Sequence, residues 1–269
     1  MKTLRKAAVA GYFYPAKPQE LKEQLASFMP LQKTPQKAFA IIAPHAGYIY
    51  SGQTAADVYS KIKIPNKIFI LSPNHTGEGA AISINTEGKW ITPFGEVSID
   101  SKLARAFMKH CPWAEEDEAA HREEHSLEVQ LPFLQYLKKD FEFVPLTVQH
   151  ISYEDCIILG EALAEAIHDM KEEVLIVASS DMNHYESHEK TLQKDQYAID
   201  PILHMDPKTL YEQVHFHRVS MCGIIPATIA LIASKLLGAK KSELITHSTS
   251  GPVSGDFQRV VGYASFLIS

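Results

Sequence analysis

The chain has 269 residues, a formal net charge of −6, 45% hydrophobic residues and 22% charged residues, an ordinary globular composition with enough apolar side chains for a buried core. It carries no basic run or stripe of the kind that binds nucleic acid, and no stretch approaches the roughly 20 apolar residues that span a bilayer. Its three cysteines, Cys111, Cys156 and Cys222, form no CxxC pair, which argues against a zinc ribbon or a disulfide framework.

The N-terminus, MKTLRKAAVAGYFYP, lacks the apolar core of a secretory signal, so a cytoplasmic location is expected. Residues 18–29 have helical period and start with Pro18, and a polar connection, LQKTPQK, follows. FAIIA (39–43) is a short continuous apolar run, as in a buried strand. PHAGYIYSG is a loop, with Ser51 as N-cap of a helix through GQTAADVYSKI. KIFILS (67–72) is a second buried strand, leading into PNHTGEG, and AAISI (80–84) is a third. A β excursion with turns surrounds GKWITPFGEV. Helices are expected over 101–110 and 126–139, the second interrupted by Pro132. Strand 142–148, helix 153–170 and strand 172–180 follow, and then a long helical region over 186–217. An apolar helix over 223–238 ends at Gly238, and a strand over 259–268 closes the chain.

This alternation predicts a three-layer α/β fold around a largely parallel or mixed sheet. With no linker, low-complexity tract or internal repeat, residues 1–269 read as a single domain.

Thirteen histidines are the compositional oddity. Three buried-strand segments run into loops bearing one: FAIIA into His45, KIFILS into His75, and VLIVASS into Asp181 and His184. Ligand crevices in open α/β sheets lie outside the carboxyl ends of the strands, so parallel strands would bring these side chains together. Glu124, His125 and Glu128 form a further polar group, and Cys222 opens the last apolar helix, where a thiolate is favoured. A lone loop histidine is more often solvated, and a lone cysteine more often an inert buried thiol; matched strand positions favour ligation. His184 has the chemistry for proton transfer near neutral pH. Asp181 either orients a histidine or caps a helix. Tyr48, Tyr50 and Tyr185 are core residues by default, and the wall of an aromatic-substrate pocket otherwise. His110, His150, His168, His188, His204, His215, His217 and His247 read as surface or structural.

APHAGYIYSG, SPNHTG, EEHSLEVQLPFL, SSDMNH, CGIIP and VVGYASF, in that order over nearly the whole chain, resemble the Memo family (the protein B type of the AmmeMemoRadiSam system). The resemblance implies the fold of the LigB-like, class III extradiol dioxygenases. It implies His45, His75 and Cys222 as metal ligands, with Cys222 in the place of a carboxylate. It implies His125 and His184 as acid/base histidines and Asp181 as a further pocket residue. It also implies a shared pathway with radical SAM and AMMECR-type proteins. A two-His-one-carboxylate face suits Fe(II) and O₂ activation; a thiolate in that place would also suit Cu or Zn.

Three functions follow as expectations. One is a metal-dependent redox protein acting on a small, phenolic substrate. The others are a Cys/His or Zn hydrolase, and a non-catalytic module that holds metal or a peptide, as the signalling links of eukaryotic relatives suggest. His121, Glu124 and His125 also fit H-x-x-E-H, an inverted zinc-protease signature. That motif requires one continuous helix, which Pro132 argues against.

Overall fold

The computed structural model describes residues 4–29 and 35–269, so most of the expected 31–37 connection lies outside the described residues. Among the described residues, twelve strands form one mixed sheet. At its centre four strands run parallel in the order Glu142–Val148, Lys67–Pro73, Val174–Ser179 and Ala40–Ala43. The closing strand Val260–Ile268 pairs antiparallel with Ala40–Ala43, and it carries Ser242–Thr249 and His184–Glu186 as further antiparallel partners.

The central strands are apolar on both faces, and neighbouring residues part to opposite sides. Ile42, Phe69, Leu71, Val144 and Ile176 join a core with the helices Tyr153–Met170 and Ile224–Leu236. Ile41, Ile68, Ile70, Phe143 and Val177 join another core with Pro18–Phe28, Tyr48–Tyr59 and Leu131–Leu137. Period-two alternation between two buried faces makes a helix–sheet–helix sandwich. No helix among the described residues is long and apolar enough to cross a membrane.

Several elements differ from the sequence expectation. The helix expected after Ser51 begins at Tyr48, because the Phe13 carbonyl accepts the Tyr48 N–H at 2.7 Å and supplies the cap from outside. Ser51 lies inside the first turn and donates its hydroxyl to the Ala46 carbonyl at 3.0 Å. The 126–139 helix is two, His125–Glu128 and Leu131–Leu137, with Pro132 in the first turn of the second. The 186–217 region is likewise two, His188–Leu203 and Pro207–Phe216. Met205 takes φ 54°, and Asp206 caps the second helix by accepting from the Thr209 N–H. The 80–84 strand shortens to Ile82–Ile84, and the GKWITPFGEV excursion is a hairpin of Lys89–Thr92 and Gly95–Ile99. Ser242–Thr249 has no counterpart in the expectation. It is polar and half-exposed, and cross-strand pairing along Val260–Ile268 holds it rather than an apolar run.

The N-terminal segment is tied down by one buried carboxylate. Glu128 pairs with Arg5 and accepts from the Ala8 N–H at 2.8 Å, the Val9 N–H at 3.1 Å and the Tyr14 hydroxyl at 2.6 Å. The Arg5 and Glu128 side chains are 6% and 0% exposed, so the pair cannot exchange its bonds for water. Breaking one side of a buried pair leaves an uncompensated charge. Glu128→Ala is expected to lower the unfolding free energy by about 3–5 kcal/mol, read from urea denaturation. A loss below ~1 kcal/mol would mean that Arg5 finds water in the folded variant.

Candidate metal centre

The parallel strands deliver the expected loops to one edge of the sheet. His45 follows Ala40–Ala43, His75 follows Lys67–Pro73, and Asp181 and His184 follow Val174–Ser179. They meet around a cavity of about 450 Å³, also lined by His125, Phe13, Tyr50, Tyr185, Arg259 and Tyr263. One ring nitrogen from each of His45, His75 and His125 lies within 4.8 Å of the other two, a group that could hold a metal ion.

The hydrogen bonds assign the tautomers. Ser179 Oγ donates to the Ser126 carbonyl at 2.6 Å, so it can only accept from its other neighbours, Gln130 Nε2 and His45 Nδ1, each at 2.9 Å. His45 Nδ1 therefore carries the proton, and Nε2 presents a lone pair. His75 Nδ1 lies 2.9 Å from Glu124 Oε1, and the other oxygen, Oε2, accepts the His75 backbone N–H at 2.6 Å. His75 Nε2 is thereby also left with its lone pair available, the arrangement in which a carboxylate orients a metal-binding histidine. His184 Nδ1 donates to the Ser220 carbonyl at 2.8 Å, which turns its Nε2 free as well.

Burial keeps the His45 and His125 rings neutral. Removal from water, reinforced by His125, His75 and His184, pushes His45 well below the usual 6.5. Burial takes His125 down to about 4. Glu124 resists the same burial. Its bonds from His75 and Ser126 hold it at about 2, so the carboxylate stays charged behind the histidines. Asp181 goes the other way: burial lifts it to about 6. Its Oδ1 accepts the His45 N–H at 2.7 Å and so fixes the loop. Asp181 thus orients a histidine through the backbone rather than by capping a helix.

Cys222 Sγ lies 3.1 Å from His45 Nε2 and accepts the Asp181 N–H at 3.3 Å. Burial pushes this thiol well above its usual value. The sulfur reaches its place because residue 223 is glycine: a Cβ there would stand 2.3 Å from the Ser179 carbonyl oxygen. The sequence-expected residues are therefore gathered, in a particular arrangement. His125 stands within the three-histidine group, and Cys222 touches it at the His45 corner. His184 shares the cavity from the His184–Glu186 strand, where a bulge leaves Tyr185 at φ 62° and re-aims its ring.

The H-x-x-E-H pattern does not form a metal site. His121 sits on a separate short helix, Ala119–Arg122, 1% exposed and packed edge-on to Trp90, while Glu124 serves His75. Sequence reasoning missed Ser179, Ser126 and Gln130, which fix His45, and Phe13, Tyr263 and Arg259, which line the cavity. The available signal was the placing of polar residues inside apolar runs, such as Gln130 between Val129 and Leu131. His247 is structural as expected: its Nε2 bonds the buried Asp195 at 2.8 Å.

These shifts give the metal-free fold an acid-labile profile. His125 at about 4 lies below its unfolded value of 6.5, so the unfolded chain binds the extra proton. Its contribution is present above pH 6.5 and is lost as pH falls toward 4, by up to about 1.4 kcal/mol per pH unit. Glu124 at about 2 lies below its unfolded 4.5, so its contribution is lost between pH 4.5 and 2. Denaturation in a chelator is expected to show stability falling below pH 6.5, with a shallower slope from 6.5 to 4 in His125→Gln. An unchanged slope in that variant would contradict the assignment.

Among known proteins, the family model of Memo-like proteins matches residues 5–267. A MEMO1 family protein of Aquifex aeolicus (strain VF5) is 42% identical over 268 residues, covering 98% of each chain. The MEMO1 family protein MJ0403 of Methanocaldococcus jannaschii is 38% identical over 287 residues, covering 100% of each. Among solved structures, the uncharacterized protein JW3007 from Escherichia coli K12 matches with a TM-score of 0.61. At 14% identity over 86% of this chain and 99% of its own, that is a likeness of fold alone. A match over almost the whole length, in the family model and in relatives near 40% identity, means that this chain belongs to the Memo family.

Proposed function

We propose that this chain is a metal-dependent oxidoreductase of the extradiol-dioxygenase type, with a LigB-like fold, acting on a small phenolic compound. Fe(II) is the metal this reading favours, with Cu as the alternative. The observation that carries it is the group of three imidazoles, with one ring nitrogen of each within 4.8 Å of the other two, at the end of a 450 Å³ cavity. Borderline nitrogen donors with a thiol beside them suit Fe, Cu and Zn rather than Mg or Ca.

His45 and His75 would hold the ion through Nε2, with Cys222 at the His45 corner as the third ligand. A bound ferrous ion would supply Lewis acidity for phenolic oxygens and the redox capacity to use O₂. The protein's own part is positional and acid–base. Glu124 and Ser179 fix the two imidazoles, and Asp181 fixes the His45 loop. His184 Nε2, opposite them in the cavity, takes a proton from a substrate hydroxyl. A three-histidine set, with His125 replacing Cys222, is favoured by the mutual approach of the three rings. A hydrolase is the second reading, supported by the 3.1 Å Cys222–His45 contact, in which His45 Nε2 stands where a base could take the thiol proton.

Metal content separates these. Protein purified anaerobically is expected to carry near-stoichiometric Fe or Cu by mass spectrometry, and His45→Ala is expected to lose it. Loss in Cys222→Ser with retention in His125→Gln supports the thiolate set; the opposite pattern supports three histidines. Ser179→Ala, which removes the partner of His45 Nδ1 together with the Ser179 bonds to Gln130 and Ser126, is expected to weaken metal affinity by about 10–100-fold. Stoichiometric Zn would move the assignment to hydrolysis. No metal after anaerobic reconstitution with Fe(II) or Cu(I) would sink the redox reading.

A further inference from the structure

The cavity has two chemically different ends. The histidines occupy one. On the wall formed by the closing strand and the turn before it stand Ser250, Asp256, Arg259 and Tyr263. Arg259 is exposed, and its guanidinium has no carboxylate partner among the described residues. The Tyr185 ring stands beside it, with the guanidinium carbon 5.5 Å from the ring centroid. The buried Arg5, by contrast, is matched by Glu128.

Local structure places Arg259. Asp256 Oδ1 accepts the Gln258 N–H at 2.8 Å and the Arg259 N–H at 3.3 Å, which closes the turn 256–259. Strand pairing then sets Val260 opposite Glu186 and Val261 opposite His184, so the residue before Val260 emerges beside Tyr185. The bulge at Tyr185 turns that ring to the same place. The backbone amides thus engage the Asp256 carboxylate, and no ion pair with Arg259 is formed. Nearby, Ser250 Oγ accepts the Val261 N–H at 3.0 Å and bonds the Tyr263 phenol, which burial keeps protonated.

We propose that Arg259 is the anion anchor of this cavity and that its ligand is a small aromatic carboxylate. The carboxylate would be gripped by the guanidinium fork and the ring set among Tyr50, Tyr185 and Phe13. A planar guanidinium with two parallel N–H donors matches a carboxylate in bidentate fashion, and a guanidinium backed by an aromatic face loses little freedom when it binds. A 450 Å³ cavity accommodates one aromatic ring with its substituents. The inference rests on the proposed metal site only for orientation: the end of the ligand away from Arg259 faces the histidines. The Asp181 and Asp256 carboxylates face the same cavity, but each has an oxygen committed to backbone N–H donors.

The test is ligand binding to the full chain as purified, by calorimetry and saturation-transfer NMR. The probes are 4-hydroxybenzoate, its neutral isostere 4-hydroxybenzamide, and phenyl phosphate. The wild type is expected to bind 4-hydroxybenzoate about tenfold or more tightly than the amide, the span of a charge-assisted hydrogen bond. In Arg259→Gln the ratio falls to near one, and in Arg259→Lys, which keeps charge without the fork, it is intermediate. Arg259 is exposed, so both variants keep the melting temperature and metal content of the wild type. Equal binding of acid and amide, no binding of either, or an unchanged ratio in Arg259→Gln overturns the proposal. Arg259-dependent binding of phenyl phosphate in preference to 4-hydroxybenzoate overturns the choice of carboxylate. Failure of the metal reading shows separately, as absent metal in the wild type, and leaves the acid-to-amide ratio to stand or fall by itself.

Discussion

The Glu124 carboxylate is fully buried and stays ionised only because four donors converge on it: the His75 N–H, His75 Nδ1, the Ser126 N–H and the Ser126 hydroxyl. A buried charge without such bonds would neutralise or drive the segment into water. The same bonds do three structural jobs. They join the loop after Lys67–Pro73 to the helix His125–Glu128, they hold the His75 ring in one tautomer, and they place His125 next in sequence against that ring. The centroids of His75 and His125 are 4.6 Å apart.

A second network, centred on Ser179, treats His45 in the same way. Gln130 joins it with no donor or acceptor wasted: its amide nitrogen serves Ser179 and the Pro44 carbonyl, and its oxygen accepts the Tyr59 hydroxyl. The two networks meet in the segment 124–130, which also carries Glu128. That carboxylate draws in Arg5, Ala8, Val9 and Tyr14, so the segment 5–14 crosses the site and brings the Phe13 ring 4.8 Å from His125. One short stretch of irregular helix therefore ties the sheet edge, the N-terminal strap and the three histidines into a single rigid unit. Rigid polar support of this kind costs stability if any member is lost, and it sets ligand atoms in advance of whatever they bind.

Much of this was legible in the sequence. Continuous apolar runs marked the buried parallel strands, because a strand covered on both faces has no polar side to show. The carboxyl-end rule then puts His45, His75, Asp181 and His184 at one edge from strand pattern alone, and the ordered motifs carry the family. The polar edge strand Ser242–Thr249 was not legible, since its partner rather than its composition holds it. The Tyr48 start of the second helix was equally hidden, because its cap is a carbonyl 35 residues away, on Phe13.

By itself, then, the sequence determined the α/β alternation, the loops that carry the chemistry and the membership of the Memo family. Those depend on local patterning and on motif order. Tertiary structure alone decided which nitrogen of His45, His75 and His184 is turned to the cavity. It also decided that His125 stands beside the His45 and His75 rings, that Cys222 leans on His45, and that Arg259 faces the cavity without an acidic partner among the described residues. Each of these depends on bonds between residues tens to more than a hundred positions apart, such as Ser179 with His45 and Glu124 with His75. Chain spacing encodes no distance between such residues; only the packing of both faces of one sheet brings them to it.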